Sequence, residues 1–321
     1  MHCRAQQLLG LVFALAAATG ALAQTYPNRP VRIVIGFTPG GGVDINARLL
    51  AAKLSEQMGS QFVVENKPGA GTNIANEHVA KSTPDGYTLL FNSAAFAVNL
   101  ALYHHPPYAL RDFAPVSVFS ESVNLLVVSA ALPARNLKEL IAIARERPGS
   151  LNYSSAGAGT TQHMAAELFK LKSGTHIVHV PYKGSAPALT ALIAGEVQLS
   201  FSNTVAINQH VKAGRLRALA VAGARRTDLM PDVPTMKEAG LEGVEVPLWF
   251  GLLAPAATPR EVVQLLATNV AKATRSADIR QKLIDQGADP VGNSPEEFER
   301  QLAAEVARWH EVVKVSGAKA D

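Results

Sequence analysis

Cysteine is almost absent: Cys3 is the single one in 321 residues, and it sits among the first 23. No disulfide can close within such a chain, so the cross-linked framework of small secreted domains is excluded. Charge is thin as well. Lys and Arg number 30 against 26 Asp and Glu, a formal net charge of +4, with no long Lys/Arg run. Nucleic-acid binders instead concentrate basic residues on one face, and none is expected here. Beyond residue 23 no apolar run approaches the ~20 residues needed to cross a bilayer. What remains is 48% hydrophobic and 17% charged, a globular balance, because disordered chains are poorer in apolar residues and richer in charge. The length suits one large or two mid-sized domains.

Several catalytic and cofactor signatures are missing too. A dinucleotide fingerprint beginning at Gly69 or Gly157 would need glycine at 74 or 162, where Ile74 and Gln162 stand. No Gly-Lys-Ser/Thr follows a glycine turn at P-loop spacing, and no G-x-S-x-G elbow occurs. His176 and His179, three apart on an expected strand, would point to opposite faces. His163 and Glu167, at i and i+4 on an expected helix, could touch, but two groups fall short of a zinc site. Neither metal nor cofactor is expected.

The informative part begins at the start of the chain. Arg4 precedes an apolar stretch from Leu8 to Ala18 and then Ala21-Leu22-Ala23, the layout of a cleaved secretory signal over residues 1–23. Cleavage would remove Arg4, which is the only charged side chain of that segment apart from the histidine, and bring the net charge to +3; Cys3 would go with it. The expectation is a soluble exported protein in the periplasm, stabilised by packing alone.

Downstream, short runs rich in Val, Ile, Leu and Phe alternate with amphipathic stretches, the pattern of βαβ units and a parallel sheet. Strands are expected at 31–37, 62–64, 87–91, 151–155, 177–180, 197–201 and 216–221. Helices are expected from about 44 to 58, 72 to 81, 161 to 172 and 186 to 194. Long extended segments at 116–128 and 244–254 read as crossings between two lobes. Thr258-Pro259-Arg260-Glu261 and Ser294-Pro295-Glu296-Glu297 each pair a capping residue with proline and glutamate, marking C-terminal helices that pack back on the first lobe. The expected fold is α/β with two βαβ-type lobes and a cleft between them: 24–122 and 247–321 form lobe 1, 123–246 lobe 2.

Two glycine-rich strand-to-helix turns stand out, Thr38-Pro39-Gly40-Gly41-Gly42 and Ala156-Gly157-Ala158-Gly159-Thr160-Thr161. Such turns let backbone N–H groups approach an anion, and the helix start adds about half a positive charge. In open α/β sheets they lie where ligands bind, at the carboxyl ends of strands. One turn per lobe could therefore hold an acidic solute between two helix N-termini. Lys183 and Ser185 follow another strand end and could meet a carboxylate. Asp44 either orients the first glycine loop or simply sits in a helix's first turn, where an anion is favoured; direct contact with an anionic ligand would be repulsive, so a role at the site would run through loop geometry, a bridging water or a ligand donor.

Taken in order, Tyr26-Pro27-Asn28-Arg29-Pro30-Val31-Arg32, Pro39-Gly40-Gly41-Gly42-Val43-Asp44, Val64-Glu65-Asn66-Lys67-Pro68-Gly69-Ala70-Gly71, Pro84-Asp85-Gly86-Tyr87-Thr88-Leu89, Val180-Pro181-Tyr182-Lys183-Gly184 and Pro231-Asp232-Val233-Pro234-Thr235 resemble the tripartite tricarboxylate transporter receptor family, also called Bug proteins. The likeness runs over essentially the whole chain after the signal. It implies a periplasmic binding protein of the type 2 fold, a Venus flytrap that captures a small carboxylated solute. Members either deliver it to a membrane permease or serve a membrane sensor in signalling. Carried over, the pocket walls would be the loop of Thr38, Pro39, Gly40, Gly41, Gly42 and Asp44, and the turn of Ser155, Gly157, Gly159, Thr160 and Thr161 with His163 behind it. Ser93, Lys183, Ser185, Ser202 and Asn203 would complete the site, with ligand carboxylates held through backbone groups, hydroxyls and waters. Many relatives carry Asp after the strand that ends here at Phe201, where this chain has Ser202-Asn203; neutral donors replace a charge.

The function expected is thus solute capture for a tripartite tricarboxylate-type transporter by a monomer that is not an enzyme. Signalling to a membrane sensor is the alternative. A hydrolase using Ser155 or Thr161 with His163 is the competing chemistry.

Overall fold

The computed structural model describes residues 26–318 and 320, so the export signal read at 1–23 lies outside the described residues. The first lobe opens with β1 (Val31–Ile35), whose loop leads into α1 (Gly42–Met58). Leu50, Ala51 and Leu54 bury one face of α1, and Gly59 ends it in the left-handed conformation, its N–H donating to Ser55 O. Then follow β2 (Phe62–Asn66), a strained turn at 69–72, α2 (Asn73–Ala80), the fully buried β3 (Thr88–Ser93), α3 (Ala95–Leu102) and β4 (Phe113–Ser122). One residue, Val123, separates β4 from β5 (Asn124–Ser129), which belongs to the other sheet.

In the second lobe α4 (Leu137–Glu146) is opened by Asn136, whose side chain accepts from Glu139 N–H at 3.0 Å. After it come β6 (Asn152–Ser155), α5 (Thr161–Ser173), β7 (Val178–Pro181), α6 (Ser185–Ala194), β8 (Leu199–Asn203), α7 (Thr204–Lys212) and β9 (Leu216–Val221). The chain returns through β10 (Leu248–Pro255) and ends with α8 (Arg260–Arg275), α9 (Ala277–Asp285), the short β11 (Asp289–Pro290) and α10 (Pro295–Ser316).

Both sheets are mixed rather than parallel. The first runs β11-β4-β10-β3-β1-β2 and the second β7-β6-β8-β5-β9. β1 pairs in parallel with β2 and β3, and β6 with β7 and β8, as βαβ units require. The exceptions are the crossing strands, β10 antiparallel to both β3 and β4 and β5 to both β8 and β9, and the two-residue β11, antiparallel to β4. β4 runs toward the interface like β3 and passes directly into β5, which must then run away from it. A strand that arrives from the other lobe enters its sheet from the opposite end, which periodicity along one segment does not reveal.

Two local expectations need correction. The Ser294 capping box forms, with Glu297 N–H donating to Ser294 Oγ at 3.2 Å and Ser294 N–H to Glu297 Oε2 at 2.9 Å. At the other site Pro259 occupies the capping position of α8 with no side-chain cap, and the Thr258 hydroxyl is buried without a partner. His176 precedes β7 instead of sharing it with His179. The sequence analysis also passed over α3, because Ala95-Phe96-Ala97-Val98-Asn99-Leu100-Ala101-Leu102 is apolar nearly all round and shows no amphipathic stripe, as suits a buried helix.

α8 lies on β4 and α1, on the first lobe. α10 goes further: Phe298 and Leu302 pack with Trp249 and Phe96, whereas Trp309 joins Met164 and Phe169 of the second lobe. The last helix therefore straps the two lobes together. At its middle, Glu305 is 8% exposed and accepts from Trp249 Nε1 at 2.9 Å to each oxygen. Burial pushes Glu305 up to about 7, offset by hydrogen bonds from Trp249 and Gln301 and by Arg308.

A raised carboxyl contributes stability that is fully present below its unfolded value near 4.5 and is lost as pH rises through about 7. That loss is on the order of 3 kcal/mol. The Tm of Glu305→Gln should accordingly fall less between pH 5 and pH 8 than that of the unaltered protein. Equal slopes for the two proteins in a thermal melt series would contradict this.

Candidate functional site

β1, β3, β6 and β8 all end at the interface between lobes, and α1, α3, α5, α6 and α7 start there. A cavity of about 20 Å³, room for roughly one water, lies at that point. Gly41, Gly42 and Val43 at the start of α1 and Ser93 before α3 line it from the first lobe. Thr160, Thr161 and Gln162 at the start of α5, Ser185 at α6 and Asn203 before α7 line it from the second. Phe37, Leu248, Phe250 and Ala156 close it with apolar surface.

No charged side chain is among these walls. Each helix start presents backbone N–H groups without intrahelical partners and about half a unit of positive charge. Four such starts converge here, those of α1, α5, α6 and α7, so the cavity favours an anion without an arginine or lysine in contact. A more open groove of about 770 Å³ lies beside Arg29, Arg32 and Lys81, but Asp85, Glu65 and Glu77 already meet those cations.

Several close approaches between the lobes occur at glycines. A Cβ built on Gly42 falls 2.6 Å from Asn203 Oδ1, and one on Gly41 falls 3.4 Å from Ser185 Cβ. A Cβ on Gly184 would run into Thr38 Oγ1, one on Gly159 into Asn99 Oδ1, and one on Gly71 into Ala158 O. In each pair the two residues come from different lobes. Side chains at these positions would prop the cleft open.

The first glycine loop is tied from behind by Asp44. Its carboxylate accepts from Gly40 N–H at 3.0 Å, from Arg48 Nε at 3.0 and 3.1 Å and from Asn66 Nδ2 at 3.0 Å. Burial opposes ionisation of Asp44, but the Arg48, Gly40 and Asn66 hydrogen bonds outweigh it and hold the carboxyl below its usual value. Asp44 therefore does not line the cavity. Pro39 and Gly40 are exposed outside it, and the Thr38 hydroxyl is buried without a partner.

The second turn is braced by a stack of rings. His179 lies between Tyr153 and His163, with centroids 4.6 and 4.5 Å away. Burial, followed by the neighbouring His163, pushes His179 down to about 3, so it is neutral at ordinary pH. Its Nε2 is 2.7 Å from Ser155 Oγ, which donates to Gly157 O and accepts from Gly157 N–H. His163 Nδ1 accepts from Gly159 N–H at 3.3 Å, while Thr160 Oγ1 caps α5 by accepting from His163 N–H. Ser155, Gly157, Gly159 and His163 thus shape the turn from behind and do not line the cavity. The histidine bonded to Ser155 is His179, not His163, and Ser155 is wholly buried. Glu167, paired in the sequence with His163, hydrogen-bonds to Tyr153 and Lys170.

Of the remaining expected residues, Ser202 is buried against Ser200, with 3.1 Å between their hydroxyl oxygens. Lys183 is exposed and borders a separate chamber. Sequence reasoning missed Gln162, which it weighed only as a broken nucleotide motif. Gln162 Oε1 accepts from Ala156 N–H at 2.7 Å and its Nε2 donates to Ser185 Oγ at 3.2 Å, joining two turns. It also missed Asn124, which faces Asn203 across the ladder and whose buried amide has neither atom bonded. Phe37, Leu248 and Phe250 gave no signal, since apolar strand ends look like core.

Asp44→Ala should leave Gly40 N–H and the Asn66 amide unpaired and cost about 1–2 kcal/mol. Below about pH 3.8, where the unfolded carboxyl protonates, the difference from the unaltered protein should shrink. Urea unfolding at pH 7 and pH 3 measures both, and an equal cost at the two pH values would contradict the role given to its charge.

Residues 46–318 match the family model described as "Tripartite tricarboxylate transporter family receptor". Protein BugT of Bordetella pertussis is 38% identical over 316 residues, spanning 97% of each chain. The solved structure of Rpa4515 from R. palustris with adipate is 42% identical, with a TM-score of 0.89 over 92% of this chain and 99% of that one. MatC from Rhodopseudomonas palustris with bound malate is 32% identical, with a TM-score of 0.86 over 90% of this chain and 100% of that one. Model, sequence and fold agree, and the chain belongs to the tripartite tricarboxylate transporter receptor family, periplasmic solute-binding proteins of the two-lobed α/β fold.

Proposed function

We propose that this chain is a periplasmic receptor that closes its two lobes on a small carboxylate and presents it to a tripartite tricarboxylate-type permease. The observation that carries this is the meeting of four helix starts, with no charged side chain, at one cavity between lobes. A carboxylate placed there would accept from first-turn N–H groups of α1, α5 and α6 and from the hydroxyls of Ser93, Thr161 and Ser185. Adipate and malate in the two solved relatives are solutes of this kind.

Capture requires movement, because the closed cavity has room for about one water. The chain crosses between lobes at Val123 and on the approach to β10, so residues 24–122 and 247–321 would turn against 123–246 about these two crossings, with the Trp309 end of α10, packed on the second lobe, shifting as they do. Residues 1–23 would direct export and be removed. Solute leaves chemically unchanged, since the buried Ser155–His179 pair braces a turn instead of facing the cavity. The receptor would act as a monomer.

Binding to the folded state alone stabilises it by RT ln(1 + [L]/Kd), about 2.7 kcal/mol at a hundredfold excess over Kd. A thermal-shift panel of mono-, di- and tricarboxylates should therefore contain stabilising members, and a panel with none would overturn the receptor function. Gly42→Ala should fold normally, because Gly42 begins a helix, yet its methyl would strike Asn203 on closure. Carboxylate affinity should fall at least about tenfold in this variant, measured by calorimetry; unchanged affinity would show that closure does not bring these two residues together.

A further inference from the structure

α10 belongs to neither lobe alone, and a carboxyl group sits where it passes from one to the other. Phe298 and Leu302 pack with Phe96 and Leu253 of the first lobe, while Trp309 joins Met164 and Phe169 of the second. Between these anchors Glu305 accepts from Trp249 Nε1 at 2.9 Å to each oxygen and from Gln301 Nε2 at 3.4 Å. One turn on, Arg308 donates to the carbonyl of Glu245. Residues 245 and 249 bracket the point where the chain re-enters the first lobe, so the middle of α10 grips the second crossing on either side of it.

The charges that act on this carboxyl oppose one another. Arg308 favours its ionised form, and Glu121 of β4, which stands opposite Trp249 in the ladder, disfavours it. Glu121 in turn faces Asp289 of β11, which pairs with Arg225 of the second lobe. α3, packed on the same helix, carries no charged residue. At the ends of α10, Arg260 of α8 pairs with Glu296; on α5, Glu167 pairs with Lys170, His163 stacks on His179 and Lys172 lies beside Gly243. Burial is the largest influence and pushes Glu305 up to about 7. Its two forms are therefore balanced near neutral pH, and the balance depends on how well this joint excludes water.

We propose that Glu305 is a proton-linked latch for lobe closure: as the lobes close on a solute, the joint shuts water out from this carboxylate and it takes up a proton from solvent. The proposal rests on the receptor function above and adds a regulation to it. Opening carries the Trp309 end of α10 away with the second lobe while Phe298 and Leu302 stay on the first, which loosens the turn between them. Water reaching Glu305 lowers the cost of its charge, so the open form carries the carboxylate and the closed form the acid. The acid still has an oxygen free to accept from Trp249 Nε1. Closure and protonation are then reciprocal: low pH favours the closed receptor, and a bound solute raises the proton affinity of Glu305.

The test is calorimetry with adipate at pH 6, 7 and 8, with malate in its place should adipate not bind, on the unaltered protein, Glu305→Gln and Glu121→Gln. A carboxyl that titrates near 7 in the closed form and near 4.5 in the open one makes binding about tenfold tighter at pH 6 than at pH 8. Glu305→Gln keeps an acceptor for Trp249 but cannot titrate, so its affinity should change by no more than about twofold over that range. Glu121→Gln removes a like charge at an exposed position and should move the fall in affinity to lower pH. Ionisation of the solute and of the histidines is common to all three proteins, so the differences between them belong to this joint. Equal slopes in the unaltered protein and Glu305→Gln, or affinity that rises with pH, overturn the latch and leave the receptor function standing. Tryptophan emission gives a second reading without any variant, because Trp249 bonds the carboxyl, Trp309 lies one turn from it, and the chain has no other tryptophan. The emission should titrate near pH 7 with adipate bound and at lower pH without it; a midpoint unmoved by adipate overturns the latch in the same way. Failure of every carboxylate to bind ends both the latch and the receptor function.

Discussion

Bare backbone approaching the opposite lobe is the constraint on which the rest of this molecule depends. Gly42 against Asn203, Gly184 against Thr38, Gly159 against Asn99 and Gly71 against Ala158 leave no room for a Cβ on the glycine side. Because the lobes come this close, the helix starts behind those glycines can reach one anion together. The same closeness shrinks the space between the helix starts to about a single water's volume. Each glycine turn is then held from behind: Asp44 with Arg48 and Asn66 on one side, the Tyr153–His179–His163 stack on the other.

Recognition by dipoles instead of side-chain charges has an energetic logic. A buried arginine would need a partner whenever the site was empty, whereas unsatisfied N–H groups at a helix start can be hydrated in the open state and directed at a carboxylate in the closed one. Asp44 shows how the protein keeps its own anion harmless. It is ionised but turned away from the cavity, its charge met by Arg48, so that it orders the loop without repelling the solute.

Much of this was legible in residue order. Alternating apolar runs located the strands of both lobes, and Gly59, Asn136 and Ser294 marked helix boundaries at the positions observed. Both glycine turns flank the cavity, and Asp44 sits in the supporting role its charge implied. What escaped was whatever depends on contact between distant segments. The antiparallel entry of β5 and β10 follows from crossing between lobes, and α3 is apolar apart from Asn99 because most of it is buried. Gln162 gains its role only when Ser185 is brought beside it, and Ser155 meets His179 because β6 and β7 are neighbours in register. Ser202 and Lys183, grouped with the anion site by their place near strand ends, lie behind it and beside the separate chamber respectively.

Amide hydrogen exchange followed by NMR, with and without saturating adipate, tests the central claim most directly. If helix starts hold the carboxylate, exchange at Gly42, Val43, Thr161 and Gln162 should slow together on binding, in both lobes at once. Adipate that binds while these four amides exchange at their unliganded rates would contradict the account.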